Sequence, residues 1–205
     1  RRAGQPVAMS SSASALRDWL GFTGAVCFAL MLLPQALLNA HRKSTEGLSL
    51  GLIVTWHAAA VLYLGYELAA QMADDGSAGE SGAPWLVASM VAFVVMSSVI
   101  EAQIVAPQAG ATLEGLFVCL PVCAALTGVS VAISFACMAV FMSHENVAIA
   151  LGASAPAALF ALGFIPQFWV FYAVWSVEGY SLGVSLLDMG GAAANTALIF
   201  VDADA

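Results

Sequence analysis

Pro34-Gln35, ten residues, then Glu46-Gly47-Leu48-Ser49-Leu50-Gly51 is written once near the start of the chain. It is written again 132 positions later as Pro166-Gln167, ten residues, then Glu178-Gly179-Tyr180-Ser181-Leu182-Gly183. Each Pro-Gln pair closes an apolar run of helix length, and each Gly-x-Ser-Leu-Gly opens the next one. Self-similarity at a fixed offset marks a repeated structural unit. Here the unit is a kinked helix, a tight loop and a second helix. A third pair, Pro107-Gln108, lacks the downstream Gly-x-Ser and is set aside.

Working outward, the 205 residues are 61% hydrophobic, 9% charged and have a mean hydropathy of +0.92. Soluble domains carry about 25% charge, so the composition is that of an integral membrane protein. The formal net charge is −8, and all five cations (Arg1, Arg2, Arg17, Arg42, Lys43) fall in the first 43 residues. With no cations beyond them, a nucleic-acid partner is excluded, because nothing neutralises phosphates. Cys27, Cys119, Cys123 and Cys137 all lie in apolar runs and read as small buried hydrophobes. Cys119 and Cys123 share a helix face, but no third ligand accompanies them, so no metal site is expected.

The hydropathy pattern predicts an all-α membrane fold with about six spans, at about 19–39, 48–70, 84–105, 114–142, 146–175 and 179–201. The organisation that follows is a polar tail (1–18), a first repeat of three helices (19–105), a linker helix (106–142), a second repeat of two helices (146–201) and an acidic tail (202–205). Three crossings separate the two Pro-Gln helices, so they run in the same direction and the repeats are parallel. The cationic loop with His41, Arg42 and Lys43 is expected on the cytosolic side or its organellar equivalent. The acidic turn Asp74–Gly82 then faces the other way. The Arg-, Ser- and Ala-rich amino end resembles the remnant of an organellar transit peptide, or a plain polar tail.

A proline inside a helix removes a backbone hydrogen bond and kinks it. The adjacent glutamine offers a carboxamide to the freed backbone groups. Pro34, Gln35, Pro166 and Gln167 are therefore expected as hinge residues, with Ser49 and Ser181 as helix N-caps. These two units resemble the repeats of the PQ-loop superfamily, which includes SWEET-type sugar carriers, lysosomal amino-acid exporters similar to cystinosin, and KDEL receptors. The resemblance implies a three-plus-one-plus-three bundle in which the Pro-Gln helices hinge alternating access. One departure stands out: the sequence given reaches only the sixth helix of the family pattern. The expectation is that the seventh helix is absent and other membrane subunits cover its place, or else that the chain is incomplete.

Among polar residues inside the spans, Asp188 is the sharpest, since an ionised carboxylate there is costly and no Lys or Arg follows Lys43 to pair with it. It is expected to line the central cavity and couple protons, with Asn195 seven residues on as its neighbour. His57 could face the cavity, ligate a pigment metal or bond a neighbouring helix. Chlorophyll or carotenoid contacts are plausible under a structural role, with His57, Gln103 or Asn195 as conceivable ligands of a chlorophyll magnesium. Glu67, Glu101 and Glu114 lie near span ends and are expected to snorkel to the interface. No nucleophile–base pair, phosphate loop or His-x-x-His pattern occurs, so an enzyme is not expected.

Two functional readings follow. The favoured one is a structural or accessory subunit of a large organellar complex, photosynthetic (a photosystem supercomplex in a plastid thylakoid) or respiratory (mitochondrial). The alternative is a proton-coupled carrier of a small polar solute, such as an amino acid or sugar, and the organellar membrane is favoured over an endomembrane or lysosomal alternative.

Overall fold

A computed structural model describes residues 11–73, 84–105 and 113–203. The amino-terminal residues 1–10, the acidic turn and Pro107-Gln108 lie outside the described residues, as do the last two of the acidic tail. The described residues are all-helical: α1 (Ser11–Leu30), α2 (Leu33–Arg42), α3 (Leu50–Ala73), α4 (Pro84–Val105), α5 (Leu113–Ser143), α6 (Glu145–Val147), a π-helical stretch (Ala148–Ser154), α7 (Ala155–Val174) and α8 (Leu182–Ala203). Five stretches among them are long and apolar enough to cross a membrane: Ala15–Arg42, Leu50–Ala73, Pro84–Val105, Cys119–Ser143 and Glu145–Val174. α8 has span length too, at 22 residues, but carries Asp188 and Asn195. The protein is an integral membrane protein, with five candidate spans and the long helix α8 among the described residues.

The first pass is two helices rather than one. The α-helical pattern lapses at Met31-Leu32, where Met31 N–H bonds Phe28 O in a tighter turn, and α2 restarts with Pro34 in its first turn. Proline is tolerated there because first-turn N–H groups have no helical partner. Pro166, by contrast, lies inside an unbroken α7. The matching irregularity in the second repeat is one turn beyond its start, where the π-helical stretch leads into Pro156. Wide turns of this kind accommodate a missing donor and cluster at functional sites.

Packing crosses the repeats. α1 packs on α8, and α3 packs on α7, so each Pro-Gln helix lies against the second helix of the other repeat. α4 fills the side of α1 and α3, and linker α5 lies on α3 and α4. The core (Leu52, Trp56, Phe93, Ile100 and Val184 among others) is buried where these helices meet. Large apolar side chains on the outer faces, such as Trp169 and Leu186, remain exposed as bilayer contact requires.

Candidate functional site

The two motif loops are built bond for bond alike. α2 and α7 end on Lys43 and Trp175, both left-handed at φ 54 and 51. Ser44 Oγ accepts from Glu46 N–H at 3.1 Å, and Ser176 Oγ from Glu178 N–H at 3.2 Å. Leu48 N–H reaches Thr45 O, and Tyr180 N–H reaches Val177 O, at 3.1 and 3.0 Å. All these pairs are 132 positions apart. Ser49 then caps α3, its Oγ accepting from Leu52 N–H at 3.4 Å.

The glutamines do not repair their own helices; they hold each other's loops. Gln35 donates from Nε2 to Gly179 O (2.9 Å) and accepts from Ser181 N–H (2.8 Å). Gln167 donates from Nε2 to Gly47 O (2.8 Å) and accepts from Ser49 N–H (2.8 Å). Each carboxamide acts as one more peptide unit in the opposite loop, and each glutamine is 1% exposed. The prolines are exchanged as well. A Cβ on Gly183 would lie 2.8 Å from Pro34 Cβ, and one on Gly51 would lie 2.9 Å from Pro166 Cβ. At the centre, a Cβ on Gly47 would come within 2.9 Å of Gly179 Cα, so the loops touch backbone to backbone. Such reciprocity requires a pseudo-two-fold axis between Gly47 and Gly179, running along the membrane normal as parallel repeats demand. The two prolines therefore differ in their surroundings. The helix breaks just before Pro34, whereas Pro166 and both glutamines serve as clamps.

The first repeat adds a brace without counterpart. Gln35 Nε2 also donates to Asn39 Oδ1 (2.8 Å), Asn39 Nδ2 to Gln103 Oε1 (3.0 Å), and Gln103 Nε2 to Ala36 O (3.2 Å). Arg42 reaches Glu178 O across the same seam. The loop end of the bundle is thus sealed by polar contacts from both repeats.

Beyond the seal, toward the opposite face, lies a cavity of about 370 Å³. Its walls include three pairs related by the same offset: Ala25 with Ala157, Phe28 with Phe160, and Tyr63 with Asn195. Leu86, Ser89 and Met90 of α4, together with Ala153 and Pro156 around the π-helical stretch, complete it. A ring cluster separates cavity from loops: Trp56 meets Phe164 edge-on at 5.1 Å, and Phe93 meets Phe160 edge-on at 5.6 Å. Trp56 Nε1 donates to Phe160 O at 2.9 Å, which fastens α3 to α7 there.

Asn195 lines the cavity, and Asp188 is not among its lining residues. Asp188 is the positional counterpart of Trp56, half-buried about two turns nearer the loops. On the same helix Ser185 Oγ donates to the Tyr180 hydroxyl at 3.4 Å. Asp188 and Asn195 lie too far apart along α8, at about 1.5 Å rise per residue, to act on one atom.

His57 is spent on neighbouring helices. Its Nδ1 lies 2.9 Å from Glu101 Oε1 on α4, and its Nε2 lies 2.8 Å from Ser130 Oγ on α5. With both ring nitrogens engaged and the residue buried, it has no lone pair left for a pigment metal. Gln103 is likewise committed at both ends of its carboxamide. Glu101 and Glu67 do not snorkel: they are 8% and 5% exposed. Glu101 bonds His57, and Glu67 lies one helical turn beyond Tyr63 on α3. The side chain of Glu114 lies outside the described residues. Cys119 and Cys123 are free thiols, and no metal-holding group occurs among the described residues.

A family model described as PQ loop repeat matches residues 16–71 and 153–204, together more than half of the chain. The chain belongs to the PQ-loop repeat family. The matched segments cover both Pro-Gln pairs, both loops and all six residues of the paired cavity wall. No curated protein matches the chain. Tyr63, Phe28 and Ala25 escaped notice in the sequence because none is unusual in a membrane helix. The signal that finds them is the 132-residue offset applied to every position instead of to the motif alone.

Proposed function

We propose that this PQ-loop protein is an alternating-access carrier of a small solute, held here closed at the motif loops and open toward the opposite face. The observation that carries the reading is the cavity: its wall is made of equivalent residues from both repeats, and one end is sealed by reciprocal bonds between those repeats. A site on a pseudo-two-fold axis can be exposed to either side by rocking one repeat on the other. The bonds that seal it are few, polar and backbone-directed, so they can be exchanged for water when the loops part. With the cationic loop on the cytosolic side, the open face is the non-cytosolic one.

A subunit role in a larger organellar assembly is the second reading. It draws on the exposed apolar faces of α7 and α8, including Trp175, Leu182 and Met189. Lipid covers such faces equally well, and a structural subunit has no need of a two-fold cavity, so the carrier reading is preferred.

The test is accessibility together with flux. Ala157→Cys, in the cavity wall, is expected to react with a membrane-impermeant thiol reagent from the face opposite the loops. Adding Gln35→Leu should shift that reactivity toward the loop face. A chain that migrates only within a multisubunit complex, and whose Ala157→Cys is unreactive from both faces, would overturn the carrier reading in favour of the subunit one.

A further inference from the structure

Resting on that reading, we infer that the cavity takes a small, uncharged, planar solute bearing an adjacent hydrogen-bond donor and acceptor, rather than a sugar or a zwitterionic amino acid. The argument starts from what lines it. None of its lining residues is acidic or basic. Glu67, buried one helical turn beyond Tyr63, does not itself line the site. A zwitterion would bring two charges into a low-dielectric site with no partner for either, which is strongly unfavourable.

Polyols fail for a related reason. Every sugar hydroxyl that enters must replace its water bonds. Of the polar lining groups, Ser89 is 3% exposed and gives its hydroxyl to Leu86 O at 2.8 Å. What remains is the Tyr63 hydroxyl and the Asn195 carboxamide, which has no hydrogen-bond partner among the described residues. That inventory suits one donor–acceptor edge, not a ring of hydroxyls.

The rest of the wall suits a flat body. Phe28 and Phe160 occupy equivalent positions in the two repeats, so each repeat offers a ring to the solute, and aromatic faces favour planar partners. An asparagine carboxamide presents donor and acceptor side by side, the arrangement that reads the edge of a flat amide-bearing ring. At about 370 Å³ the space is near the small end of ligand pockets. Such solutes are uncharged yet polar enough at one edge to cross a bilayer slowly unaided.

The probes are nicotinamide and uracil, set against D-glucose and L-alanine. Radiolabelled probe binding to the purified full chain in detergent should be saturable for nicotinamide or uracil and absent for glucose and alanine. Asn195→Leu should weaken the planar probes about tenfold or more. Saturable glucose or alanine binding, no saturable binding of either planar probe, or planar binding that Asn195→Leu leaves untouched would each overturn the inference. The wild-type preference stands as a test even where Asn195→Leu does not fold. Flux separates the two readings. Nicotinamide or uracil that binds at Asn195 without crossing a proteoliposome membrane would sink the carrier while keeping the solute class. Carrier-dependent glucose or alanine uptake would do the reverse.

Discussion

Gln35 and Ser181 are joined across the two repeats, the glutamine Oε1 accepting the serine backbone N–H at 2.8 Å. Gln167 and Ser49 form the same bond in the other direction at 2.8 Å. With the partner bonds to Gly179 and Gly47, four hydrogen bonds tie the loop end of the bundle together. All four engage backbone groups, those of Ser49 and Gly179 on buried residues and those of Gly47 and Ser181 on half-buried ones.

Replacing Gln167 by leucine strands one donor and one acceptor, and replacing Gln35 strands one donor and two acceptors, Asn39 Oδ1 being the second. The expected cost is about 2–5 kcal/mol per site, read as a lowered unfolding midpoint in detergent. Because the bonds act on one seam, the double substitution Gln35→Leu/Gln167→Leu should cost less than the sum of the two. Full additivity would mean that the loops are held independently.

Gly183→Ala and Gly51→Ala push a methyl group to within 2.8 and 2.9 Å of the opposing proline Cβ atoms. Overpacking of this kind costs about 1–3 kcal/mol, and the strain falls on the closed state. Both variants should raise loop-face labelling of Ala157→Cys. Unchanged labelling with unchanged stability would show that the proline–glycine contacts are loose.

His57→Leu leaves Glu101 buried without its partner. A loss of about 3–5 kcal/mol is expected, and His57→Leu/Glu101→Leu should recover part of it. A double-mutant cycle on unfolding midpoints measures the coupling; a coupling near zero would mean that the pair does not hold α3 to α4.

Asp188 lies outside the cavity wall, so Asp188→Asn should spare nicotinamide binding. As the remaining candidate for proton coupling, it should flatten the pH dependence of uptake in proteoliposomes. A pH profile identical to that of the unaltered chain would remove the proton role.

Much of the fold was legible from the doubled motif and the apolar runs. The α4 span is met at both ends, at Pro84 and Val105, and α3, α5 and α8 begin and end within three residues of expectation. The break at Met31-Leu32 and the π-helical stretch at Ala148–Ser154 were not foreseen. Hydropathy registers an apolar residue without regard to the turn it sits in. The glutamines were read as repairing their own helices because sequence proximity favours the local partner. The actual partners lie 144 and 146 positions away for Gln35, and 118 and 120 for Gln167.

By itself the sequence determined the solvent, the helices, the duplication and the direction of the repeats. Each of these follows from composition, periodicity and the parity of crossings. Only the tertiary structure decided which polar groups meet. A carboxamide, an imidazole or a carboxylate in a membrane must find a partner, but its partner is chosen by packing between helices. Packing placed Gln35 on Gly179 and Ser181, His57 between Glu101 and Ser130, and Tyr63 opposite its repeat counterpart Asn195 in one cavity wall.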